Sequence, residues 1–149
     1  MPFKTSQRGI DLIKQSEGFR DRMYLDATGL PTIGYGTLID SEKEEYLKTA
    51  VITEADGEAL LKIDLINIEK GINNLVTSRI NQNQFDALIS FCYNIGLGNF
   101  KKSTLLKKIN ANPIDPNIMA EFGKWTRAGG KMLPGLVIRR QKESDLYFS

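Results

Sequence analysis

Apolar and polar positions change their period several times along the chain of 149 residues, and each change predicts an element. Residues 7–17 place Ile10, Leu12 and Ile13 at helical spacing, with Thr5 or Ser6 available as cap and Gly18 as the stop. Two short runs rich in Tyr, Leu, Thr and Ile follow, at 22–25 and 30–35, on either side of Asp26-Ala27-Thr28-Gly29, whose composition suits a turn. With a third strand expected near 36–39, these runs make a small antiparallel sheet. After an acidic loop at 40–45, Thr53-Glu54-Ala55-Asp56 opens a helix, with Thr53 as cap and acids in the first turn. Its apolar pattern, from Leu60 and Leu61 through Leu65 to Ile72, runs to Gly71 or beyond. Residues 81–95 are strongly apolar through Phe85, Leu88, Ile89, Phe91 and Cys92 and predict a central helix, stopped by Gly96-Leu97-Gly98. Further helices are expected at 103–110, 116–125 and 134–148, the last with Pro134 in its first turn and with Arg139, Arg140 and Glu143 spaced for pairing.

This order of elements is that of an α+β protein. A small sheet and a helical lobe are joined by a long helix, with the cleft between them as the natural ligand site. The lobes are expected at about 14–75 and at 76–149 together with the first helix. Hydrophobic residues at 41% and charged residues at 26% agree with one globular domain and exclude disordered and fibrous classes. The single cysteine, Cys92, lies inside an apolar run, so no intramolecular disulfide can form and a buried thiol is expected. Histidine is absent, which leaves carboxylates as the acid and base groups near neutral pH. No metal or other cofactor is implied. Charge is uneven: residues 1–75 hold 9 Lys+Arg against 13 Asp+Glu, and residues 76–149 hold 11 against 5. The basic half favours an anionic polymer or surface.

Two of the carboxylates stand in contrasting settings. Glu17 is expected at the C-terminal end of the first helix, where unsatisfied carbonyls disfavour a second negative charge and suit the side chain to proton donation. Asp26, at the start of a turn, is placed to accept backbone N–H bonds and to remain ionised. One carboxyl protonated and one charged is the pairing that glycosidic cleavage needs, the first protonating the leaving oxygen and the second supporting water or oxocarbenium charge. Thr32 on the returning strand has a hydroxyl able to hold a water beside Asp26. Tyr24, Tyr35 and Asn94 offer aromatic faces and an amide of the kind that suits N-acetyl sugars, whereas Trp125 reads as a packing residue. Gly129-Gly130 reads as a loop or a helix stop.

Glu17, eight residues, Asp26, five residues and Thr32, continuing into Ile33-Gly34-Tyr35-Gly36, resembles the phage-type lysozymes. The segments 87–96, 100–106, 125–130 and 135–143 extend the resemblance over essentially the whole chain and are closest to the lambdoid-type branch. The resemblance implies the lysozyme-like two-lobe fold and an endolysin. Its activity would be that of a muramidase, hydrolysing with inversion the β-1,4 bond between N-acetylmuramic acid and N-acetylglucosamine in peptidoglycan and so lysing the host. By that carry-over Glu17 is the general acid, Asp26 the base or electrostatic partner, and Thr32 the residue that helps place the water. Where the family's best-known member carries a histidine this chain has Thr37, and where that member carries an aspartate before the acid it has Ser16. The arginine partner of the acid stays open between Arg139 and Arg140. The expected partner is the peptidoglycan glycan strand, with no nucleic acid, no stable membrane insertion, a monomeric state, and dependence on a separate holin-type pore. No signal peptide or transmembrane anchor is read in the chain. Synthesis in the bacterial cytoplasm and action in the periplasm are therefore expected. Two alternatives remain: a lytic transglycosylase, and a non-catalytic cationic protein that binds the wall or disrupts membranes.

Overall fold

A computed structural model describes residues 2–149. The chain divides into two units, one of Ile13–Ile66 and the other of Asn67–Ser149 with the chain up to Leu12. It passes from one to the other inside helix α1 (Gln7–Glu17) and inside helix α2 (Glu54–Leu75).

The smaller unit carries the sheet. Strands β1 (Arg20–Leu25), β2 (Pro31–Gly34) and β3 (Thr37–Leu38) are antiparallel in the order β1-β2-β3. Its core is Ile33, Ile39 and Leu47, flanked by Met23, Ala50, Ile52 and Leu60. Leu47 comes from a 3-10 turn, Glu45–Lys48, which continues a stretch expected only as an acidic loop. Burial of that one side chain orders the turn. As the sequence predicts, Thr53 caps α2: its hydroxyl accepts from Asp56 N at 3.1 Å while Asp56 Oδ2 accepts from Thr53 N at 3.0 Å. Gly34 sits at φ +68°, and a Cβ there would lie 3.3 Å from the Gly57 Cα of α2. Glycine at both positions lets the strand approach the helix backbone.

In the other unit, α3 (Gln82–Ile95) is central, with every residue from Gln84 to Cys92 buried. Asn81 and Gln84 form a reciprocal capping box at its start. Gly96, at φ +87°, ends α3 as expected, but the chain turns directly into a further helix, α4 (Leu97–Lys102). The sequence reading missed this helix. Its apolar pair at i,i+3 explains it: Phe100 is fully buried, and the Leu97 side chain is the neighbour a Cβ on Gly71 would meet. Helices α5 (Thr104–Ala111), α6 (Ile118–Gly123) and α7 (Pro134–Tyr147) follow, α6 shorter at both ends than the expected 116–125. Between α6 and α7 stands a hairpin of β4 (Arg127–Ala128) and β5 (Lys131–Met132), whose turn residues Gly129 and Gly130 both have positive φ. Phe91 is the aromatic hub, meeting Phe100, Phe122 and Trp125 edge-on at centroid distances of 6.3, 5.3 and 6.0 Å. Trp125 thus packs, and Cys92 is a buried free thiol.

A buried ionic cluster ties α7 to α3. Glu143 is 0% exposed, with Arg139 and Arg140 at 5% and 2%. Its carboxylate accepts from Ser90 Oγ at 2.6 Å and from Arg139 Nε at 3.3 Å, and lies 3.0 Å from Arg140 Nε. These are the i,i+3 and i,i+4 pairs that the sequence spacing predicts.

Candidate active site

Glu17 is the last residue of α1, and the helix closes with the Gly18 N–H donating to Lys14 O at 3.0 Å. Gly18 has φ +73°, the left-handed conformation in which a helix ends and a glycine is favoured. The chain enters β1 two residues later, so the half-buried Glu17 carboxyl is carried on the rigid end of a helix beside the sheet's first strand.

Asp26 follows directly on β1. The turn predicted from Asp26-Ala27-Thr28-Gly29 forms, with Asp26 O accepting from Gly29 N and Asp26 N donating to Leu30 O, both at 2.9 Å. Within it one carboxylate oxygen, Oδ1, accepts three bonds: from Thr28 N at 2.8 Å, Thr28 Oγ1 at 2.7 Å and Leu30 N at 2.9 Å. These bonds hold the Asp26 carboxyl below the ordinary aspartate range, the Leu30 N–H contributing most and the Thr28 hydroxyl next. All three fall on Oδ1. The geometry fixes the orientation of an ionised carboxylate. Thr28 is a part of this arrangement that the sequence reading did not single out, although an Asp followed two residues on by Thr is a turn signal with this bonding built in.

Thr32, on β2, is 2% exposed, and its hydroxyl donates to Leu30 O at 2.9 Å. Its backbone pairs with Tyr24 on one side and Leu38 on the other. Thr32 and Asp26 are therefore linked through one residue, Leu30, which donates to the aspartate and accepts from the threonine. Tyr24 is half-buried at the end of β1. Burial raises its phenol above the ordinary value, the Glu17 and Asp26 charges add to this and Arg20 opposes it, so the hydroxyl stays protonated.

The other two candidate sugar-binding residues have different surroundings. Tyr35 is 4% exposed, its ring 5.2 Å from that of Phe19 and with Lys14 Nζ 5.3 Å from its centroid. Its ring also lies where a Cβ on Gly57 would come, at 3.2 Å. That setting is one of packing and leaves little aromatic face for a sugar. Asn94 belongs to the helical unit; it is exposed, and its Oδ1 accepts from Arg140 Nη2 at 2.7 Å. Thr37 donates its hydroxyl to Asp64 Oδ2 at 2.7 Å. Burial raises the Asp64 carboxyl above the ordinary range, with the Thr37 bond opposing.

Comparison with known proteins finds relatives over nearly the whole chain. The Phage lysozyme family profile matches residues 14–143. The endolysin of Bacillus phage B103 is 40% identical over 146 residues, 97% of this chain. The chain spans about half the length of that relative, 54%. The endolysin of Salmonella phage P22 is 38% identical over 144 residues, covering 97% of each chain. Among solved structures, the muramidase domain of SpmX from Asticaccaulis excentricus superposes with a TM-score of 0.86 at 35% identity, covering 98% of both chains. With a family profile matched over most of its length and relatives well above 30% identity, the chain belongs to the phage lysozyme family.

Proposed function

We propose that this chain is an endolysin acting as a muramidase, cleaving the β-1,4 bond between N-acetylmuramic acid and N-acetylglucosamine by an inverting mechanism. The observation that carries the proposal is the Asp26 carboxylate, kept ionised by three donors on one oxygen, on the hairpin that follows the helix ending in Glu17. In the proposed reaction Glu17 gives its proton to the glycosidic oxygen as the bond to the anomeric carbon breaks. Water attacks that carbon from the opposite face and its proton passes to Asp26, with Oδ2, which takes none of the three turn bonds, as acceptor. Thr32, whose hydroxyl hydrogen is engaged by Leu30, still has lone pairs that accept from that water. Transfer of the proton back through solvent to Glu17 completes the turnover. An inverting pair leaves room for the water, so the carboxyl groups are expected to stand about 6.5–9.5 Å apart when substrate is bound.

Peptidoglycan is the proposed partner, approached by the more basic unit, which holds 14 Lys+Arg against 7 Asp+Glu; the other unit holds 6 against 11. The proposal includes a monomeric enzyme that reaches the wall through a separate pore. Among the described residues no helix is long and apolar enough to cross a membrane. A lytic transglycosylase would need only the acid. The organised Asp26 carboxylate is the feature that such an enzyme has no use for. The test is clearance of purified cell walls by wild type, Glu17→Gln and Asp26→Asn. Both variants are expected to fold normally and to lose more than nine-tenths of the activity. Retention of wild-type clearance by Glu17→Gln would reject both the general-acid role and catalysis as the source of lysis.

A further inference from the structure

The strand that leads into the candidate site is irregular. Its pairing with β2 runs from Arg20↔Gly34 to Tyr24↔Thr32, so four steps along β1 match two along β2. In a regular strand, residues four apart stand about 13 Å apart. Here β1 is gathered in, and the Arg20 guanidinium carbon lies 4.6 Å from the centre of the Tyr24 ring. Arg20 makes no ion pair among the described residues. The other arginine of the strand, Arg22, instead lies beside Asp21 at 3.9 Å. The Arg20 cation is thus committed to one aromatic face.

That ring occupies a particular place. Tyr24 is paired across the sheet with Thr32 and stands two residues before Asp26, and its phenol senses the charges of both Glu17 and Asp26. Resting on the function proposed above, we propose that Arg20 is a positioning residue for glycan binding. By lying over the Tyr24 ring it holds the phenol where its hydroxyl donates a hydrogen bond to an oxygen substituent of the bound sugar, such as a ring hydroxyl or the acetamido carbonyl. Tyr24 touches the sugar; Arg20 acts only through Tyr24. The raised phenol is consistent with this, since a neutral hydroxyl keeps a proton to donate. A contact of this kind is made alike in the ground and transition states, so it acts on KM more than on kcat.

The test is steady-state hydrolysis of solubilised, uncross-linked peptidoglycan strands, read as release of reducing ends, by wild type, Arg20→Ala, Arg20→Lys, Tyr24→Ala and Arg22→Ala. Arg20→Ala should raise KM about 2- to 5-fold, the range of an exposed cation–π contact, with kcat within about 2-fold of wild type. Arg20→Lys should recover most of that loss. Arg22→Ala, which removes the same charge from the same strand, should leave KM unchanged. In the Tyr24→Ala background Arg20→Ala should cost nothing further, because the residue through which it acts is gone. A full Arg20→Ala effect in that background, or an equal loss in Arg22→Ala, overturns the positioning role while the proposed hydrolysis stands. A wild-type protein that releases no reducing ends overturns the proposed function itself, and the positioning role with it.

Discussion

Glu143→Gln should destabilise the helical unit severely, and the geometry sets the size of the effect. The substitution keeps the side chain's volume and much of its hydrogen bonding but removes a buried negative charge that faces Arg139 and Arg140, which are 5% and 2% exposed. Burial pushes the Glu143 carboxyl upward, while Arg140, Arg139 and the Ser90 hydroxyl pull the other way by favouring its ionised form. Removing one partner of a buried ion pair costs about 3–5 kcal/mol, because the buried charges that remain are less well compensated. For a domain of this size each kcal/mol lowers the midpoint of thermal unfolding by about 2–4 °C, so a fall of about 6–20 °C is expected. Thermal and urea unfolding followed by far-ultraviolet circular dichroism measure it. Replacing all three charged residues together by apolar residues of matched volume should be far milder than Glu143→Gln alone, and close to neutral once repacked. A Glu143→Gln loss below about 1 kcal/mol would refute the reasoning, since the guanidiniums would then need no buried counter-charge.

Other consequences follow from single contacts. Thr28→Val deletes the hydroxyl that donates to Asp26 Oδ1, so the Asp26 carboxyl should titrate higher and the acid limb of the pH–activity profile should move to higher pH. An unmoved limb, measured at constant ionic strength, would disconnect Asp26 from the reaction. Gly34→Ala combines a left-handed φ of +68° with a Cβ 3.3 Å from the Gly57 backbone, so a loss of about 1–3 kcal/mol is expected in urea unfolding. A neutral result would mean that strand and helix can move apart freely. Asp64 has its carboxyl raised by burial, so ionising it costs the folded state stability as pH rises through the folded value. Asp64→Asn should therefore gain on wild type as pH climbs from the carboxylate range to neutrality. Parallel stability curves for the two proteins would contradict this.

What the sequence revealed is what local rules govern. Gly18 after an apolar helical face located the end of α1 and thereby Glu17. Asp26-Ala27-Thr28-Gly29 specified a turn that bonds its own first side chain. Thr53 announced a helix start, and the spacing of Arg139, Arg140 and Glu143 gave their pairing. The features that escaped depend on partners distant in the chain or on register. Tyr35 reads as an aromatic face for a sugar, yet Gly57 on α2 leaves room for its ring, and the residue is buried. The stacking of Arg20 on Tyr24 follows from an irregular strand pairing that no spacing of residue types announces. Helix α4 begins immediately after the glycine that was read as a stop, because Leu97 and Phe100 find burial there. The hairpin at Gly129-Gly130 joins strands of two residues each, too short to carry an alternating pattern.

The central claim is that Glu17 and Asp26 together hydrolyse a glycosidic bond with inversion. The measurement that bears on it most directly is digestion of purified peptidoglycan, with the fresh products followed by mass spectrometry and by proton NMR before mutarotation sets in. The account predicts disaccharide-peptides ending in a reducing N-acetylmuramic acid, one water heavier than the anhydro form and initially in the α configuration. Fragments ending in 1,6-anhydro-N-acetylmuramic acid, or reducing ends born in the β configuration, would contradict it.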